Sequence, residues 1–170
     1  MTKKRVEASD PDAIVLLANY YYGGECGLPQ DQGKAIELWL RAGELGHADS
    51  YYNVGVAYDS GAGVEWDEKK AKHYYELAAM GGSSTARHNL GCSEYNAGNA
   101  NRAVKHWMIA AGAGLDVSLE QIRECFLKGY ATKSDFEKAL RAHKEAKDET
   151  KSDLREAAAA AIQEGRLRMR

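Results

Sequence analysis

Small and aromatic residues recur along the chain in a helical rhythm. Alanine–aromatic–alanine triplets stand at Ala35, Trp39 and Ala42, at Ala71, Tyr75 and Ala78, and at Ala103, Trp107 and Ala110. Positions i, i+4 and i+7 share one face of an α-helix. Each triplet therefore predicts a helix that lets a neighbour approach closely at its ends while an aromatic ring fills the middle. Ahead of each triplet lies a second motif: Leu17-Ala18 with Tyr21, Val54-Gly55 with Tyr58, and Leu90-Gly91 with Glu94. A worn fourth copy carries Ile122-Arg123 with Phe126, then Ala139, His143 and Ala146. The pattern predicts helix pairs repeating about every 36 residues, in units at about 10–46, 47–82, 83–114 and 115–147.

Turn residues punctuate the units at the right places. Ser9-Asp10-Pro11 reads as a capped helix start, with proline at the first helical position. Asp31 and Asp67 are natural N-caps for the second helix of the first two units. Glycines supply the positive φ that ends a helix in the runs Gly24 to Asp31 and Gly61 to Asp67, and again at Gly46 and Gly81-Gly82. Leu28 and Val64 are expected to hook their loops onto the core. A glycine inside a helix costs about 1 kcal/mol against alanine, so Gly55 and Gly91 require a packing reason, which close helix contact provides.

These residues resemble the Sel-1-like repeat, a branch of the tetratricopeptide superfamily. The resemblance rests on a Leu-Gly-x-x-Tyr helix, a Gly-x-Gly-Val-x-x-Asp loop and a Lys-Ala-x-x-x-Tyr/Trp-x-x-Ala-Ala-x-x-Gly helix. Unit two carries it nearly throughout, from Val54, Gly55 and Tyr58 through Gly61, Gly63, Val64 and Asp67 to Lys70, Ala71, Tyr75, Ala78, Ala79 and Gly82. Unit one matches with one residue inserted in its loop. Unit three is shorter: 13 positions separate Leu90 from Ala103, against 17 from Val54 to Ala71, which resembles plain tetratricopeptide spacing. Unit four places Arg123 where the others carry a small residue and His143 where they carry an aromatic. A large charged side chain cannot enter a close helix contact without strain, so unit four reads as a terminal cap with a polar outer face. The fold implied is all-α, a right-handed α/α superhelix, or solenoid, of antiparallel helix pairs over residues 9–147. Residues 1–8 read as a linker stub, and residues 148–170 as a helical tail ending in Arg166, Arg168 and Arg170.

Composition adjusts this picture only at the margins. The 170 residues include 44% hydrophobic and 28% charged residues, with a net charge of −2, so nothing electrostatic points to nucleic acid or to an anionic membrane. No run approaches the length of a membrane span. Three cysteines at unrelated spacings, Cys26, Cys92 and Cys125, disfavour a disulfide framework and favour a reducing compartment. A cytoplasmic or nuclear monomer is expected, because worn end units argue against endless stacking.

No phosphate loop, nucleophile elbow, HExxH motif or paired CxxC is present, so neither a catalytic residue nor a cofactor is expected. His88 and Cys92 lie four apart on one helix face, but a zinc site needs three or four ligands and no second pair stands nearby. No metal is expected. The resemblance implies instead that the first helix of each unit lines a concave groove. By that analogy the groove residues are Asn19 and Tyr22 in unit one, Tyr52, Val56 and Asp59 in unit two, and His88, Cys92 and Tyr95 in unit three. Tyrosines beside hydrogen-bonding residues are typical of recognition surfaces. The expected function is a scaffold that binds a peptide or helix of a partner protein. A rigid spacer in a larger assembly is the alternative. A β-lactam-binding or β-lactam-hydrolysing role, as in some secreted relatives, is disfavoured because those carry one disulfide per repeat.

Overall fold

The structure is a computed structural model that describes residues 10–168, with side chains through Ile162. The predicted linker stub, Arg170 and the side chains of Arg166 and Arg168 lie outside that range. Among the described residues there are eight α-helices and no strand: α1 Pro11–Gly23, α2 Gln32–Glu44, α3 Ala48–Ser60, α4 Glu68–Met80, α5 Ser84–Asn96, α6 Ala100–Gly112, α7 Asp116–Leu127 and α8 Lys133–Arg168. They form two compact units, one through Asn99 and one from Ala100. In the first, each helix packs on the next in sequence, and α3 also meets α5. In the second, α6, α7 and α8 pack on one another in all three pairings.

The helix starts are built as the sequence predicts. Asp10 accepts a hydrogen bond from the Asp12 amide at 3.2 Å, Asp31 from the Lys34 amide at 2.9 Å, and Asp67 from the Lys70 amide at 3.0 Å. Each carboxylate satisfies one amide that lacks an intrahelical partner. The starts of α2 and α4 also place a lysine over a repeat tyrosine. Lys34 Nζ lies 4.5 Å from the Tyr21 ring centre, and Lys70 Nζ lies 5.1 Å from that of Tyr58. The ammonium rests on the negative ring face while its stem shields the half-buried ring. Gly24 and Gly61 end α1 and α3 at φ 71° and 70°, the left-handed region that favours glycine.

The triplets are the core of each pair. Ala35, Trp39 and Ala42 are buried, as are Ala71, Tyr75 and Ala78, and Ala103, Trp107 and Ala110. Gly55 has the packing reason required of it. A Cβ there would stand 2.6 Å from Cδ1 of Tyr75 and 3.2 Å from the Ala71 carbonyl oxygen. Gly91 is likewise buried, in α5. Val64 packs against the cluster of Trp39 and Val54, whereas Leu28 is only half-buried in its turn.

In the compact unit from Ala100, geometry resolves the charge problem at Arg123. The guanidinium is exposed and pairs with Glu120 at 3.1 Å, so no strain arises. Ser118, Ile122 and Cys125 bury instead. His143, in place of an aromatic, reaches across to α7, its Nε2 2.7 Å from Asp116 Oδ1, and Lys147 Nζ lies 3.1 Å from the same oxygen. Lys147 and then His143 hold the Asp116 carboxyl below the usual value of 3.8. A depressed carboxylate favours the folded chain at pH above its usual range, and that contribution disappears as pH falls through the lowered value. Lys147→Met is therefore expected to raise the midpoint of the Asp116 carboxyl titration, followed by side-chain carbon NMR. An unchanged midpoint would show that the lysine does not act on it.

From Asp148 to Ile162 every residue of α8 is exposed. Five consecutive alanines, Ala157 to Ala161, sustain the helix there through high intrinsic propensity.

Candidate functional site

Unit three departs from the repeat at Glu94, and that departure shapes the site. The preceding copies carry Tyr21 and Tyr58 at this position. Glu94 is 3% exposed. Lys72 of α4 donates to its Oε1 at 2.9 Å, and the Asn99 side chain donates to its Oε2 at 3.0 Å. The Asn99 amide also bonds the Glu94 carbonyl at 2.8 Å. A carboxylate buried in the helix stack requires such donors. The short connection after α5 places Asn99 to supply one of them.

Beside this pair, α3, α4, α5 and the loop before α4 enclose an open cleft of about 450 Å³. Asp59 enters from the end of α3, Glu68, Lys72 and Tyr75 from α4, and Trp66 from the loop. Asn89, Cys92, Ser93 and Asn96 form the wall from α5 at helical spacing. Trp66 is 61% exposed. Its position in the Gly-x-Gly-Val-x-x-Asp loop places it at the rim rather than in the core. Tyr75 is buried up to its hydroxyl, which donates to Asp59 Oδ2 at 3.4 Å. Burial, together with the nearby Asp59 carboxylate and against a hydrogen bond from Asn89, pushes the Tyr75 phenol up to about 12. The hydroxyl therefore stays protonated across the physiological range and remains a donor to Asp59.

The eight residues expected to line a groove separate into groups. Asp59 and Cys92 share the cleft. Asn19 and Tyr22 gather on Trp39, the aromatic of the second helix of their own repeat. The Asn19 Oδ1 accepts from the Trp39 indole at 3.1 Å, and the Tyr22 ring lies 5.1 Å from that of Trp39. Tyr52 packs likewise on Tyr75 at 5.8 Å, and Val56 is half-buried against the same cluster. His88 Nε2 lies 3.4 Å from the Cys92 sulfur, and burial lowers the His88 imidazole from its usual value. Tyr95 is half-buried near the end of α5. Tyr52, His88 and Tyr95 are not in the cleft lining. Asn89, Ser93 and Asn96 are, on a face of α5 that the repeat register does not single out. Their period of three and four along α5 was the available signal.

All three cysteines are free thiols. Among the described residues no group of three or more His, Cys, Asp or Glu could hold a metal ion, and no helix is long and apolar enough to cross a membrane.

The sequence profile of the Sel1 repeat matches residues 11–47, 48–83 and 124–141, more than half of the chain. The chain belongs to the Sel1 repeat family. The third match falls on α7 and α8, in the most worn copy, and the wall of the cleft in α5 lies outside all three matches. Solved structures agree on the fold. A Sel1 repeat protein from Oxalobacter formigenes superposes with a TM-score of 0.74 at 27% identity, over 86% of this chain and 62% of that one. A protective antigen of uropathogenic Escherichia coli displaying an SLR fold gives 0.72 at 27% identity, over 87% of this chain and 32% of that one. Among curated Sel1-related sequences, chitin synthase regulatory factor 3 of Schizosaccharomyces pombe is 38% identical over 69 residues, 41% of this chain and 7% of that protein. The ERAD-associated E3 ubiquitin-protein ligase component HRD3B of Arabidopsis thaliana is 31% identical over 72 residues, 42% of this chain and 12% of that protein. The chain thus spans a small fraction of those curated relatives.

Proposed function

We propose that the chain is a protein-interaction scaffold that binds a peptide or helix of a partner, without chemistry of its own. The observation that carries this reading is the cleft between α3, α4 and α5, rimmed by exposed Trp66 and walled by the amides of Asn89 and Asn96. Exposed aromatics beside adaptable hydrogen-bonding side chains are the composition of recognition surfaces. The curated relatives are named as a regulatory factor and as a component of a ligase, which supports a role in assembling other proteins. In this reading the groove is narrower than the eight sequence-derived positions: Asp59 and Cys92 line it, Tyr52, Val56 and His88 pack behind its lining residues Tyr75 and Cys92, and Asn19, Tyr22 and Tyr95 are not among the residues that line it.

A photocrosslinking residue at Ser93, in the cleft, and another at Glu76, on the exposed face of α4, test the reading in the cell that makes the chain. A partner is expected to crosslink from Ser93 and not from Glu76. Trp66→Ala is expected to abolish the product without moving the thermal melt. Equal crosslinking from both positions, or a product indifferent to Trp66, would overturn the cleft as the binding surface.

A further inference from the structure

The charge balance of the cleft specifies what enters it. Two carboxylates, Asp59 and Glu68, line it against one ammonium, Lys72. That ammonium is already committed: its Nζ lies 2.9 Å from Oε1 of buried Glu94. Asp59 cannot be neutralised by its neighbour, because the Tyr75 hydroxyl donates a neutral hydrogen bond at 3.4 Å and holds its proton. Among its lining side chains the cleft thus carries more carboxylates than cations. Above it, Trp66 offers an indole that is 61% exposed. An exposed indole face beside carboxylates attracts a flat, weakly hydrated cation.

We propose that the cleft binds an arginine side chain of the partner, with the guanidinium stacked on Trp66 and paired to Asp59 and Glu68. This deepens the scaffold reading above and rests on it. Arginine is favoured over lysine by shape. Its planar fork can stack and at the same time donate to two carboxylate oxygens, whereas an ammonium is a compact, strongly hydrated point charge. The Asn89 and Asn96 amides, with donors and acceptors side by side, then meet the backbone that carries the arginine. The volume of about 450 Å³ admits one such side chain with its flanking backbone. The Lys72–Glu94 pair contributes by keeping a cation of the chain's own out of competition for the carboxylates.

Hexa-arginine, hexalysine and hexacitrulline peptides are the probes, titrated into the full chain while the Trp66 indole N–H is followed by NMR. Trp39 and Trp107 are buried and serve as internal references. Citrulline keeps the shape of arginine and lacks the charge. Hexa-arginine is expected to bind at least about fivefold more tightly than hexacitrulline, with hexalysine between them. Asp59→Asn with Glu68→Gln is expected to erase the preference. Both residues are exposed, so the melt stays in place, and the peptide comparison on the unaltered chain stands without any variant. Equal binding of hexa-arginine and hexacitrulline, or an arginine preference that survives loss of both carboxylates, would overturn the proposal. The partner crosslink from Ser93 separates this inference from the reading it rests on. A crosslink lost with Trp66→Ala but retained in the double carboxylate variant keeps the scaffold cleft and removes the arginine. No Ser93-specific crosslink at all removes the cleft itself.

Discussion

Gly55→Val is expected to destabilise the compact unit that ends at Asn99 by about 3 kcal/mol, read as a lower urea midpoint at unchanged slope. The first added carbon alone would stand 2.6 Å from Cδ1 and 2.7 Å from Cε1 of Tyr75. Neither the ring nor the backbone is free to retreat. Tyr75 is buried in its cluster with its hydroxyl on Asp59, and the Ala71 carbonyl oxygen closes the other side at 3.2 Å. The helix-propensity gain from leaving glycine is under about 1 kcal/mol and is smaller than the packing loss. In a Tyr75→Leu background the ring is gone, and the same substitution should cost at least about 1 kcal/mol less. An equal cost in both backgrounds would show that the ring is not what the glycine accommodates.

Lys72→Met is expected to cost about 3 kcal/mol, the low end for breaking a buried ion pair, because Lys72 is itself 41% exposed while Glu94 is 3% exposed. The loss comes from the carboxylate left behind. Asn99 still donates to Oε2, but Glu94, 3% exposed, loses the Lys72 ammonium from its Oε1. Adding Glu94→Leu should recover most of the loss, since an apolar pair at buried positions is often as stable as the ionic one it replaces. The double-mutant cycle measures this directly by urea denaturation. If the double variant is as unstable as the sum of the two single changes, the residues are not coupled, and the burial of Glu94 must be explained by other contacts.

The two predictions mark different depths of legibility. The Gly55 contact follows from the sequence, because a helical glycine costs stability and its place beside a small–aromatic–small triplet supplies the compensating contact. The Lys72–Glu94 pair does not follow from it. Glu94 reads in the sequence as a departure from the repeat tyrosine, and its partner lies 22 positions back on another helix. The cleft lies between these extremes. Asp59 and Cys92 follow from the repeat register, whereas Asn89, Ser93 and Asn96 do not, and the repeat gives Trp66, in the run Gly61 to Asp67, no role. A helix offers several faces, and periodicity alone does not say which one faces a cavity and which one packs on the unit's own second helix. Asn19, Tyr22 and Tyr52 illustrate the second outcome, each meeting the aromatic of the second helix of its own repeat, Trp39 or Tyr75.

By itself the sequence determined the helix pairs, their capping aspartates, their αL glycines and the buried triplets. These depend on local geometry and on spacing within a single helix, both of which are written along the chain. Only the tertiary structure decided the rest. It turned Arg123 out to Glu120, set His143 and Lys147 on Asp116, and buried Glu94 beneath Lys72. Each of these outcomes depends on which charge lies across the gap when two helices meet, and that proximity exists only once the chain has folded.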